Sequence, residues 1–444
     1  MDWGRRFRAG AGQELVSWVQ REMRQGELRV RRRSDKTEAR HRASVEALLA
    51  NLFAASKNVL DPSRYVALSF DRSAYVGTEL CLDAMAQCRD YLHEHGFVEL
   101  GRGFRGYEYG GSDKTWGRRT RMQATALLRD RFEELLLDRK ALMIPSSQLI
   151  RIKDVEGIAS SCPDKIVASR DLLLAINRRL AGASIGMEPP SLVPLDDYVG
   201  GASVQAVKCA DGDETDGADT EADLGRSYAG DRTATSLYRA FKRDWSSGGR
   251  LYGGWWMSAG RDLRPHITID GQPTVELDYK TLHPRLLYHR EGRPLDFDPY
   301  NLPALPSDRV RELGKKTFNR LLNTTSKKVR DRLRVRAAPG DNLVLPKGWT
   351  FEMYVDALVE RLAPIHKWLG TGVGVHLQRE DSDLALAVLQ KMEDAAVVVL
   401  PIHDSFMVAE QHKDLLWTAM HDAFREQFGF DPVIDAKPQR SDLP

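Results

Sequence analysis

TVELDYKTLHPRLLY, residues 274–288, decides how this chain is read. Thr274, Val275 and Leu277 suit a buried strand, Asp278 stands at its end, and Leu282, Arg285 and Leu286 begin helical spacing. A carboxylate where such a strand gives way to a helix is well placed to hold a metal ion; on its own it equally serves as a helix cap. A second stretch, VVVLPIHDSFMVAE (397–410), sets two apolar β-prone runs, Val397–Ile402 and Phe406–Val408, around His403-Asp404-Ser405. It predicts a hairpin whose tight turn carries an aspartate out of a hydrophobic sheet, as a turn former or as the partner of a metal or base. Between the two, VRELGKKTFNRLLNTTSKK (310–328) spaces Arg311, Lys315 and Asn319 at i, i+4 and i+8 on one helix face, with Phe318, Leu321 and Leu322 on the other. Such a ridge either holds a triphosphate, whose charge needs fixed cations, or is a solvated amphipathic face.

Outward from this region, composition sets the frame. The chain has 444 residues, enough for two to four domains, with 65 Lys+Arg against 63 Asp+Glu. The small net charge of +2 hides segregation: residues 1–33 hold nine Arg against four acids, 309–336 hold eleven basic residues against two acids, and 209–225 hold seven acids and no base. Opposed blocks of this kind mark polyanion-binding surfaces and a solvated tether, although a single basic run is as often an exposed helix face. The longest apolar stretch, Ala395–Ile402, has eight residues, which excludes a membrane-spanning helix. The start lacks the apolar stretch of a secretory signal, and the four cysteines (Cys81, Cys88, Cys162, Cys209) form no CxxC pair. The expectation is a soluble, cytoplasmic, multidomain protein without a zinc module.

The chain divides by pattern into a basic N-terminal arm (1–40), a helix–helix–hairpin unit (41–145), a helical segment (146–195), an acidic linker too poor in apolar residues to order itself (196–235), and the region of the motifs (236–444). In the second unit, helical spacing over 41–56 and 77–95 precedes a Gly-rich loop and the basic strand-like RRTRMQAT, Arg118 to Thr125. This order is similar to a winged helix-turn-helix, which implies DNA contacts through Arg118, Arg119 and Arg121 on the wing; a winged helix used only for protein contacts has the same pattern.

From 240 to 430 the motifs, in their order, resemble the palm and fingers of family A DNA polymerases and single-subunit phage-type RNA polymerases. Asp278-Tyr279 with Arg285 seven positions on is similar to the first palm motif, Arg311-xxx-Lys315 to the fingers motif that grips nucleotide phosphates, and Gln378-xxxx-Asp383 to the helix that contacts the primer–template minor groove. His403-Asp404 matches the last palm motif, in the spelling IHDSF of the RNA-polymerase branch. Asp244-Trp245 followed by Gly249-Arg250 is similar to a template-touching element, with two extra residues. The resemblance implies an α+β fold: an N-terminal winged helix, an antiparallel palm sheet and small helical fingers, with 146–195 as a reduced thumb. It implies two Mg²⁺ ions, or Mn²⁺ in their place, on Asp278 and Asp404. Tyr279, His283, Arg311, Lys315, Asn319 and Asn323 would meet the nucleotide, and Arg250, Gln378, Arg285 and His403 the nucleic acid.

Two positions depart from the pattern. His283 stands where the DNA enzymes carry a Glu that blocks a ribose 2′-OH, and Asn323 where both families place a Tyr. The reading is a template-directed nucleotidyltransferase, a compact DNA polymerase or primase-like enzyme of a plasmid, phage or mobile element, taking a DNA template or primer–template and dNTPs. A single-subunit RNA polymerase using NTPs, a template-independent transferase in phage defence, and a DNA-binding replication initiator with an inactive palm stay open beside it.

Overall fold

The computed structural model describes residues 4–26, 32–57, 65–69, 72–75, 78–101, 104–107, 115–118, 120–153, 162–188, 232–261, 263–325, 335–338 and 340–438. Arg119, Cys209 and all of the acidic linker up to residue 231 lie outside them, as does the side chain of Arg118.

Among the described residues, two hydrophobic cores organise the chain. The first unit runs through β1 (Arg6–Phe7), α1 (Ala11–Gln25), α2 (Asp35–Ser56), β2 (Val66–Ala67), α3 (Leu82–Glu94), β3 (Val98–Gly101), β4 (Phe104–Tyr107), β5 (Thr115–Arg118), β6 (Arg121–Ala124), α4 (Ala126–Glu134) and β7 (Leu142–Met143). Helix α2 is its centre: Ser34 caps it by accepting from Thr37 N, and Leu48, Leu49, Leu52 and Phe53 are fully buried. Strands β2, β6 and β3 form an antiparallel sheet in the order β2-β6-β3, and β4 pairs with β5 as a hairpin. The stretch expected as a basic arm is folded into this core. Leu15, Val16, Val19 and Met23 of α1 share one buried face with Phe7, so the arginines of the segment ride on a packed helix.

The second unit contains β8 (Ile150–Lys153), α5 (Asp164–Gly182), β9 (Ile185–Met187), β10 (Tyr238–Lys242), β11 (Gly248–Tyr252), β12 (Ile267–Ile269), β13 (Gln272–Tyr279), α6 (Leu282–Arg290), α7 (Asp308–Asn323), α8 (Asp341–Val344), α9 (Phe351–Arg361), α10 (Gly374–Asp394), β14 (Leu400–Ile402), β15 (Ser405–Ala409), α11 (Lys413–Phe428) and β16 (Ile434–Ala436). Its main sheet has the antiparallel order β14-β15-β13-β12-β9, with β16 also on β13. A smaller sheet, β11-β10-β8, joins β8 to β10 in parallel. The fold is a mixed α+β one built mostly on antiparallel sheets.

Residues 146–195 differ from the expected helical segment: they supply β8 and β9 as well as α5. The alternation at Ile150-Arg151-Ile152 is too short to separate from a helical turn by periodicity. The domain boundary expected at the linker also moves. The Asn177 amide on α5 donates to Leu237 O at 2.9 Å and accepts from Leu237 N at 2.7 Å, and Leu173, Ile176 and Leu180 belong to the same core as β13 and α10. The division between cores falls near residue 143 instead.

Candidate active site

Strand β13 sorts its side chains by alternation. Val275, Leu277 and Tyr279 face the core, while Glu276 and Asp278 face a cleft of about 850 Å³. Opposite them β15 does the same: Val408 and Phe406 pair with Val275 and Leu277, and Met407 and Ser405 with Glu276 and Asp278. Because Asp278 is in register with Ser405, the β14–β15 turn places Asp404 next to it, and Tyr279 N donates to Asp404 O at 3.3 Å. Two carboxylates 126 positions apart thus share one floor. Burial, and then the charge of Asp404, push the Asp278 carboxyl up to about 7, against the pull of the Lys437 ammonium.

The backbone is strained on both sides of the dyad. His403, in the turn, has φ +56°, and Thr281, leading into α6, has φ +51°, a rare conformation for a β-branched residue. The Thr281 hydroxyl is buried with no hydrogen-bond partner among the described residues. Strain of this kind is held in place at functional sites by its surroundings.

Facing the floor, α7 presents Arg311, Lys315, Asn319 and Asn323 to the cleft while Phe318, Leu321 and Leu322 bury behind it. Ser307 caps this helix through Val310 N at 3.2 Å. Arg311 Nε is held by Asp298 Oδ2 at 2.6 Å, and its guanidinium lies 5.9 Å from the Tyr300 ring centre. Lys315 has no ion-pair partner among the described residues. Gly374 sits where a Cβ would overlap the Asn323 amide, so a larger residue there would push that side chain from its present place at the back of the cleft.

From β11 and α10 come Arg250 and Gln378. Arg250 Nη2 reaches Asp381 Oδ2 at 2.6 Å, and His283 Nε2 reaches the same oxygen at 2.9 Å. Asp381 is buried, and the charges of Arg250 and His283 hold its carboxyl below the usual range against the opposing effect of burial. His283 and Arg250 are therefore fixed by one carboxylate. The Asp383 of the Gln378-xxxx-Asp383 pattern instead pairs with Arg239 at 2.6 Å and with Arg379.

The structure brings Asp278, Asp404, His283, Arg311, Lys315, Asn319, Asn323, Arg250, Gln378 and His403 to this one cleft. Tyr279 borders it, but its ring packs against Phe406 and Phe424 and its hydroxyl donates to Met420 O at 2.6 Å, so the side chain belongs to the core. Arg285 lies outside the lining, bound to the carbonyls of Lys280 and Leu295. Arg121 is in the first unit, stacked 4.4 Å from the Tyr65 ring centre. Trp255 and Trp256 are packing anchors, with Trp256 Nε1 donating to Pro401 O at 3.0 Å. Sequence reasoning missed Asp381, Tyr300, Glu276 and Lys437, all of which line or fix the cleft.

Among the described residues the lining carries eight Lys or Arg against five Asp or Glu, which suits a polyanion above an acidic floor. Among the described residues no group of three or more His, Cys, Asp or Glu is arranged around a metal position. Two carboxylates with hard oxygen donors, open to the cleft, nevertheless fit Mg²⁺, which keeps its waters and takes one or two protein carboxylates beside substrate phosphates. Among the described residues no helix is long and apolar enough to cross a membrane.

No protein-family model matches the chain, and no curated protein matches it. Among solved structures it is similar to the POL domain of Pol1 from M. smegmatis in complex with DNA primer-template and dNTP, at 11% identity and a TM-score of 0.32, over 49% of this chain and 50% of that one. The chain thus spans about half the length of that structure.

Proposed function

We propose that this protein is a template-directed nucleotidyltransferase, a compact DNA polymerase that joins deoxynucleotides to a primer on a DNA template. The observation that carries the proposal is the meeting of Asp278 and Asp404 on the floor of a cleft whose opposite wall is the Arg311–Lys315 face of α7. Phosphoryl transfer asks a protein mainly for position and charge, and this arrangement offers both. Asp278 and Asp404 would hold two Mg²⁺ ions, which when bound supply Lewis-acid activation of a 3′-hydroxyl and neutralise the leaving pyrophosphate. Lys315 and Arg311 bind the β- and γ-phosphates, with Asp298 fixing the Arg311 fork. Asp381 aims Arg250 at the template side and locks the His283 ring in the cleft.

That locked ring favours dNTPs over NTPs. A His283 free to rotate could yield to a 2′-OH, whereas one bonded to a buried carboxylate keeps its bulk in place. In the first unit, α3 followed by a sheet of order β2-β6-β3 supports a winged-helix reading, with Arg121 on the strand that leaves the hairpin.

The test is incorporation of labelled dNTPs or NTPs on primed and unprimed templates with Mg²⁺ or Mn²⁺, followed by sequencing of the products. Template-complementary extension that requires both Asp278 and Asp404 supports the proposal. Extension unaffected by Asp278→Ala and Asp404→Ala defeats it, and products without complementarity replace it with a template-independent transferase.

A further inference from the structure

Lys437 has no part in the reaction proposed above, yet its ammonium sits on that reaction's first carboxylate. Strand β16 pairs with β13 through Leu277↔Ala436, Asp278↔Asp435 and Tyr279↔Ile434, and Lys437 N donates to Glu276 O at 2.9 Å. Asp435 adds an ion pair to Lys280 at 3.1 Å. The backbone of Lys437 is therefore fixed beside Asp278, and its Nζ makes a short ion pair with Asp278 Oδ2.

The three acids of the floor are not treated alike. Glu276 has partners of its own in Ser405 Oγ at 2.7 Å and Arg264 at 3.4 Å. Asp278 has Lys437. Asp404 has no ion-pair partner among the described residues, although it lies close enough to Asp278 to perturb it. The Lys437 side chain is 43% exposed against 19% for Asp278, so the ammonium can swing to water on its four-carbon stem while the strand stays paired.

A divalent cation shared by Asp278 and Asp404 meets this ammonium at the same oxygen, and two cations there repel each other. We propose that Lys437 is a tethered counter-ion that competes with the divalent cation for Asp278, so that β16 sets the ion concentration at which the site loads. This rests on the reading of Asp278 and Asp404 as the ion-binding pair.

The experiment measures Mn²⁺ binding to the full chain without nucleotide, by the electron paramagnetic resonance signal of free Mn²⁺. The proteins are the wild type, Lys437→Met, Lys437→Arg and Asp278→Asn, each checked for an unchanged melting profile by circular dichroism. Lys437→Met keeps the stem and drops the charge, and is expected to bind Mn²⁺ about tenfold more tightly or better, the worth of one charge-assisted contact. Lys437→Arg is expected to match the wild type or bind more weakly, and Asp278→Asn to lose the site. The Mn²⁺ concentration for half-maximal incorporation should fall in Lys437→Met by the same factor as the binding constant. If Asp278→Asn loses the ion while Lys437→Met binds it no better than the wild type, the competition is refuted and the active-site reading stands. If Asp278→Asn binds Mn²⁺ like the wild type, the ion-binding role of the pair fails and Lys437 falls with it.

Discussion

Asp278→Asn removes one charge from the cleft floor and nearly preserves its shape. In the wild type the Asp278 carboxyl is raised from 3.8 to about 7, by burial first and by Asp404 second. An acid that holds its proton more tightly folded than unfolded makes the native state bind the extra proton between those two values. Stability therefore falls as pH climbs from about 4 to about 7 and is level above. At about 1.4 kcal/mol per pKa unit the shift caps this penalty at about 4 kcal/mol. The value of about 7 is already net of the Lys437 ion pair, which lowers it, so asparagine escapes the penalty as a whole. In EDTA the variant is therefore expected to be more stable than the wild type by about 2–4 kcal/mol at pH 8, and by less than about 1 kcal/mol at pH 4. Urea unfolding followed by circular dichroism across this range measures the difference. Adding Mn²⁺ at pH 8 should then narrow or reverse the gap, because only the wild type gains from binding it. A variant less stable than the wild type by the same margin at both pH values in EDTA would show that Asp278 does not carry a buried, repelled charge.

Other outcomes follow from the same geometry. Asp404→Ala should abolish nucleotide incorporation while DNA affinity, read by fluorescence anisotropy, stays near the wild-type value. Lys315→Ala should lower kcat/KM for the nucleotide by at least about tenfold, since it removes a cation that has no other ion-pair partner in the described residues. Asp381→Ala strands Arg250 beside a partly buried His283 and should cost about 3–5 kcal/mol in unfolding free energy; a melting curve unchanged by it would remove Asp381 from its role as anchor. Arg121→Ala should weaken duplex binding evenly across sequences and reduce the slope of log affinity against log salt by about 1, with Mn²⁺ binding untouched.

The parts of the site carried by local pattern were legible in the chain. Alternation around Asp278, the turn at His403-Asp404 and the i, i+4, i+8 face of Arg311, Lys315 and Asn319 each follow from a few neighbouring residues, and the structure has the strand, the hairpin and the helix there. What depended on distant partners was hidden. Asp381 looks like any charge on a long helix until Arg250 and His283, 131 and 98 positions away, converge on it. Lys437 sits in a polar stretch with no periodicity, and only β16 pairing with β13 gives it meaning. In the first 25 residues the arginines point to a solvated arm, whereas Leu15, Val16, Val19 and Met23 have the spacing of a buried helical face. Composition outweighed periodicity there, and burial followed periodicity.

The grip of Asn177 on the Leu237 backbone, together with β8 on β10 and β9 on β12, stitches chain from before residue 189 to chain from after residue 231. Chain from before residue 189 therefore covers edges that chain from after residue 231 would otherwise leave bare, since β10 would lose its parallel partner β8 and β12 its partner β9.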